Sequence, residues 1–218
     1  MKKLALVALV AVVLCGPAYA QNDYNIPQAS YDKLAKVFTR VRDNLWNCID
    51  TYWHRGEYER DIAVLRVIVE VDPSDTQAYD DGAWLMRNQL RDDESEAFLL
   101  RGLNANPDVY NLYSALGYFY YEQEKPVESA ICYERAIDLG APEITWHSLA
   151  HSYEQAGYFY EAANIWLRLQ YTEADSPVPR MQADRMLSGG RPSDIPGFMT
   201  RSMRERKKAA EERRTKQR

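Results

Sequence analysis

Cysteine is scarce in this 218-residue chain: three in all, and only Cys48 and Cys132 beyond residue 20. A small secreted domain stapled by disulfides carries about four to eight. That framework is excluded, so apolar packing must hold the fold, and a chain of this length can bury an adequate core. Both cysteines fall within apolar helical patterns, where a free thiol serves as a small buried hydrophobe. Histidine is equally rare, with three. There is no glycine-rich phosphate loop, no G-x-S-x-G and no C-x-x-C. Beyond residue 14 no apolar run approaches the roughly 20 residues of a membrane-spanning helix. Aromatics, by contrast, are plentiful. Sixteen Tyr and five Trp supply large side chains for a core, which argues against a disordered chain.

The first 20 residues have a different character. Met1-Lys2-Lys3 leads into eleven apolar residues, Leu4 to Leu14, followed by Cys15-Gly16-Pro17 and Ala18-Tyr19-Ala20. A basic start, a short apolar core and an A-x-A exit are the marks of a secretory signal peptide, with cleavage expected after Ala20. Cys15 is the rival site for lipidation, although Leu14 before it is not the small residue such sites favour. Charge divides the remainder. Residues 201–218 hold nine Lys/Arg and three Glu, a net +6, whereas residues 21–200 carry 16 Lys/Arg against 29 Asp/Glu, a net −13. An acidic body with a basic tail implies two functional zones.

An internal repeat organises the body. Pro73 and Pro107 lie 34 residues apart, and Tyr79, Tyr113 and Trp146 are spaced by 34 and then 33. Helical stripes recur at Leu112, Leu116 and Phe119, and again at Ala130, Tyr133 and Ile137. Small residues at Gly117, Ala136, Ala150 and Ala162 permit close helix approach. Gly56 and Gly157 suit turns that need a left-handed backbone. Pro73 and Pro107 stop the helices before them, with Asp72 and Asn106 favouring the turn.

This stretch resembles the tetratricopeptide-repeat family, whose period is about 34 residues. In the fourth copy Trp146, Leu149-Ala150, Tyr153, Gly157 and Ala162 match the family pattern; in the third, Tyr113, Leu116-Gly117, Tyr120, Tyr133 and Ala136 do. The first copy agrees at Tyr52, Gly56, Tyr58 and Asp72-Pro73, but Ile49 and Asp61 stand where the family has small residues. The second keeps Ala83, Leu99 and Gly102 and carries Leu90-Arg91-Asp92-Asp93 in place of the inter-helix glycine. The resemblance covers residues 42–170. It implies an all-α fold, a right-handed superhelical solenoid of about four antiparallel helix pairs. Residues 21–41 are expected to supply a capping helix opened by Ser30, with its apolar set at Leu34, Val37, Phe38 and Val41. Residues 171–198 are expected to form a loop over Thr172–Pro179, a short helix at Met181–Leu187 and a linker. Residues 199–218 are the basic tail.

In the resembling family the first helix of each pair lines a concave surface that receives a peptide or a partner helix. Carried onto this chain, the register places Trp46, Asp50, Trp53 and His54 there from the first copy, and Asp80, Trp84 and Arg87 from the second. The third gives Ser114, Tyr118 and Tyr121, and the fourth His147, His151 and Glu154. The groove is thus aromatic and acidic, and lacks the Lys and Asn with which some relatives clamp a terminal carboxylate. A protein or peptide partner with a basic or apolar segment is expected.

A catalytic role finds little footing. His147 and His151 could face one metal, but the run reads HSLAH, without the glutamate of H-E-x-x-H, and two ligands do not close a zinc site. Asp80-Asp81 and Asp92-Asp93 read as solvated faces and turn residues. No cofactor, metal or nucleic acid is therefore expected. The reading is an extracytoplasmic adaptor, in a bacterial periplasm. The alternative is a membrane-associated assembly factor whose tail meets anionic lipid, each basic residue adding about 1 kcal/mol; a regulatory subunit or metal-dependent enzyme is the more distant one.

Overall fold

The computed structural model describes residues 27–191. Among them are nine helices and no strand: α1 Gln28–Arg55, α2 Tyr58–Val71, α3 Thr76–Asn88, α4 Asp92–Ala105, α5 Tyr110–Glu122, α6 Pro126–Asp138, α7 Ile144–Ala156, α8 Phe159–Thr172 and α9 Pro177–Leu187. The expected signal peptide and basic tail lie outside the described residues. The chain divides into two units, residues 1–40 and 41–218.

In the first unit the described residues form the N-terminal half of α1. The Ser30 N–H donates to the Pro27 carbonyl at 2.8 Å, so the helix opens before the serine expected to cap it. No Gly or Pro interrupts residues 28–55, the stretch over which α1 runs.

The second unit is a stack of helix pairs. The C-terminal half of α1 pairs with α2, α3 with α4, α5 with α6 and α7 with α8, while α9 packs on α8. The first helices also touch across pairs, α3 with α5 and α5 with α7. One buried cluster runs from Ile49 through Leu65, Tyr79 and Phe98 to Leu116 and Phe119. A second gathers Ala130, Tyr133, Leu149, Ala150, Trp166 and Ala183. Close approach of α3 and α4 depends on two glycines: a Cβ on Gly82 would fall 2.6 Å from the Phe98 ring, and one on Gly102 would fall 2.8 Å from Tyr79.

The turn within each pair is built the same way four times. Residues 56, 90, 124 and 157 have φ of 69°, 62°, 57° and 84°. The next residue's N–H reaches back to the carbonyl five places earlier: Glu57 to Tyr52, Arg91 to Met86, Lys125 to Tyr120 and Tyr158 to Tyr153, at 2.8–3.0 Å. This is the Schellman closure of a helix end. Glycine occupies only the first and last of these positions. Leu90 and Glu124 take the left-handed conformation at a cost of about 1–2 kcal/mol each, so period and hydrogen bonding set the turn where residue type does not. Between pairs, the N–H groups of Asp72 and Asn106 close on Ile68 and Gly102 at 2.7 and 2.9 Å before the prolines that follow.

Two further expectations change. Cys132 is buried but Cys48 is exposed. It holds the register place of Gly82, Leu116 and Leu149, which are buried, and among the described residues no pair precedes the first. The last helix begins at Pro177 rather than Met181; Pro177 and Pro179 sit in its first turn, where a missing N–H costs little, and Ser176 caps the Val178 N–H at 3.4 Å.

Candidate partner-binding groove

The first helices carry three rows at the repeat period: Trp46, Asp80, Ser114 and His147; Asp50, Trp84, Tyr118 and His151; Trp53, Arg87, Tyr121 and Glu154. The structure brings the first two repeats' members together. Trp53 and Trp84 meet with ring centroids 5.6 Å apart and planes tilted by 35°, and Tyr58 packs edge-on to Trp53 at 5.5 Å. The Trp46 indole N–H donates to Asp75 at 2.9 Å, while the other oxygen of Asp75 accepts from the Ala78 N–H and caps α3. The wall tryptophan and the helix start are thereby fixed by one carboxylate.

Beside the three tryptophans lies an open cavity of about 620 Å³. Its floor is Ile49, Leu65 and Leu85; its walls are Trp46, Trp53 and Trp84 with Asp50, Asp80 and Asp81. The register expects Asp80 in the groove but not Asp81, which here lines the wall beside it. Surrounding protein strips hydration from both carboxyls and holds each above the usual aspartate range. The Asp81 charge raises Asp80 further and Arg87 draws it down, while Gln77 opposes the rise at Asp81. Asp80 and Trp84 also border a narrow crevice leading to Tyr118, whose ring lies 4.5 Å from the Arg87 guanidinium. Trp53, Trp84 and Tyr118 stay 43–44% exposed, a high figure for rings of this size. His54 and Asp50 are also exposed, and their 3.6 Å pair contributes little. Arg87 is buried and Tyr121 partly so; burial first, then the nearby acids, raises the Tyr121 phenol to about 12.

The fourth repeat is engaged differently. The His147 Nε2–H donates to Glu173 at 2.6 Å, and His147 and His151 both stand edge-on to buried Trp166, with centroids 5.1 and 5.0 Å away. Burial lowers the His151 pKa, leaving a neutral imidazole at pH 7. Glu154 is buried in a bidentate pair with Arg185 of α9 at 2.6 and 2.7 Å. Its place in the concave register is therefore spent on holding α9. Arg185 lies beyond the repeat pattern and carries no signal by which register could find it. Among the described residues no three His, Cys, Asp or Glu gather as a metal site, and no helix is long and apolar enough to cross a membrane.

No family model matches the sequence, and no curated protein matches it. Solved structures do. PilF of Pseudomonas aeruginosa superposes with a TM-score of 0.59 at 19% identity, over 70% of each chain. PilW, described as a widely conserved type IV pilus biogenesis factor, gives 0.56 at 18% identity, over 68% of this chain and 70% of that one. YrrB, described as a tetratricopeptide-repeat protein with an unusual peptide-binding site, gives 0.55 at 17%, over 69% and 82%. The fold is the tetratricopeptide-repeat fold. The pairs α1–α2, α3–α4, α5–α6 and α7–α8 stand as its repeats, and α9 follows the last of them.

Proposed function

We propose that this tetratricopeptide-repeat chain is an extracytoplasmic adaptor that holds a segment of a partner protein against its first helices. The observation that carries the reading is the run of open rings, Trp53, Trp84 and Tyr118, on one face of three consecutive repeats. Rigid aromatics with a polar edge dominate binding energy at interfaces, about 2 kcal/mol or more for a good anchor. Peptide binding by YrrB and the role described for PilW are in keeping with it. The signal-like residues 1–20 support an extracytoplasmic setting.

Affinity capture from the native envelope tests the proposal. Protein bearing Trp53→Ala, Trp84→Ala and Tyr118→Ala, with helicity matched to wild type, should bind the recovered partner at least about 30-fold more weakly, the equivalent of one anchor. Equal recovery by both proteins would move the binding surface off this face.

A further inference from the structure

We infer that the cavity between the first two repeats is a socket for an arginine side chain of the partner segment. The inference rests on the groove reading above and gives it a chemistry. Three tryptophans and three carboxylates line the cavity, and no Lys or Arg does. Indole faces attract cations through the ring quadrupole, and more so where water is excluded. The carboxylates add charge and planar acceptors, which a guanidinium meets with five donors in a fixed fork. Arg87 acts on Asp80 from the neighbouring crevice, yet the wall as a whole retains a surplus of negative charge.

An anion is refused by the same wall. A purely apolar side chain would fill the floor of Ile49, Leu65 and Leu85 but would leave Asp80 and Asp81 partly dehydrated and unmatched. Partial dehydration is already visible in the raised carboxyl pKa values of Asp80 and Asp81, and an incoming cation relieves it. This chain makes the same kind of contact internally. Arg87 lies over Tyr118, and Arg168 lies 4.4 Å from the centroid of Trp146. The net −13 of residues 21–200 would steer a basic segment toward the groove and speed its arrival.

The test uses the full chain and two short capped peptides, Gly-Ser-Arg-Gly-Arg-Ser-Gly and its citrulline counterpart, which keeps the shape and loses the charge. Binding is read by calorimetry and by indole fluorescence at low salt. The arginine peptide should bind about tenfold or more tightly than the citrulline peptide, and the difference should shrink as salt rises. Substituting Asp50→Asn, Asp80→Asn and Asp81→Asn, which preserves size, should abolish the preference, and Trp84→Ala should weaken the arginine peptide alone. Equal binding of the two peptides, binding of neither, or a preference untouched by the asparagine substitutions would overturn the inference. Envelope capture separates the two claims: if the asparagine variant recovers the partner as wild type does while the ring variant fails, the groove stands and the arginine socket falls.

Discussion

Replacing Arg185 by alanine is expected to destabilise the protein by about 3–5 kcal/mol, the usual cost of stranding one member of a buried ion pair. The Glu154 side chain is 1% exposed and that of Arg185 12%, with both carboxylate oxygens bonded to the guanidinium at 2.6 and 2.7 Å. The same guanidinium donates to Gln182 at 3.0 and 2.9 Å and to the Gly190 carbonyl at 3.0 Å. Without Arg185, a buried carboxylate has lost its countercharge and the end of α9 its anchor. Glu154→Leu combined with Arg185→Met removes both charges at similar volume and should recover most of the loss. Urea unfolding of the two single variants and the double variant measures the coupling. A small effect of Arg185→Ala alone would show that α9 is held by Pro179 and Ala183 packing rather than by this pair.

Asp61→Asn should stabilise the protein at pH 7 by about 1–3 kcal/mol, the cost of leaving a buried polar group unsatisfied. Asp61 is 0% exposed, and neither of its side-chain oxygens has a hydrogen-bond partner among the described residues. The repeats explain what belongs there. Ser95 and Ser129, which occupy the same register place, each donate Oγ–H at 2.8 Å to the carbonyl twelve residues earlier, Ala83 and Gly117. The carbonyl in that relation to Asp61 is that of Ile49. An ionised carboxylate has no proton to donate; asparagine has the same shape and does.

Burial first, then the Glu57 charge, raises the Asp61 pKa above its unfolded value near 4. Between those two pKa values the folded state binds more protons, so stability falls with rising pH. The contribution of Asp61 to stability should therefore rise on acidification from neutral pH toward the unfolded carboxyl pKa, and Asp61→Asn should lose that component. A less stable asparagine variant at pH 7, or an unchanged pH slope, would contradict this account.

What the sequence made legible follows from what repeats. The period of Pro73 and Pro107 and the stripe of Leu112, Leu116 and Phe119 located the helix pairs, because a stacked pair must bury the same register places each time. The same period placed Trp53, Trp84 and Tyr118 on one face. It failed where a residue answers to something outside its repeat. Cys48 has no preceding pair to cover it among the described residues. Glu154 and His147 were assigned to the groove by register, yet Arg185 and Glu173, from segments beyond the last repeat helix or at its end, take hold of them. The second copy lacks the inter-helix glycine, yet Leu90, like Glu124 in the third, takes the left-handed backbone that the helix end imposes.

The central claim, that a partner lies along the first-helix face, is tested most directly by photo-crosslinking. A benzophenone amino acid is placed at Tyr118 in one protein and at Ile131, exposed on the second helix α6, in another. Irradiation in the native envelope should join a partner to the Tyr118 probe and leave the Ile131 probe unlinked. Crosslinks from Ile131 with none from Tyr118 would put the binding surface on the second helices and contradict the account.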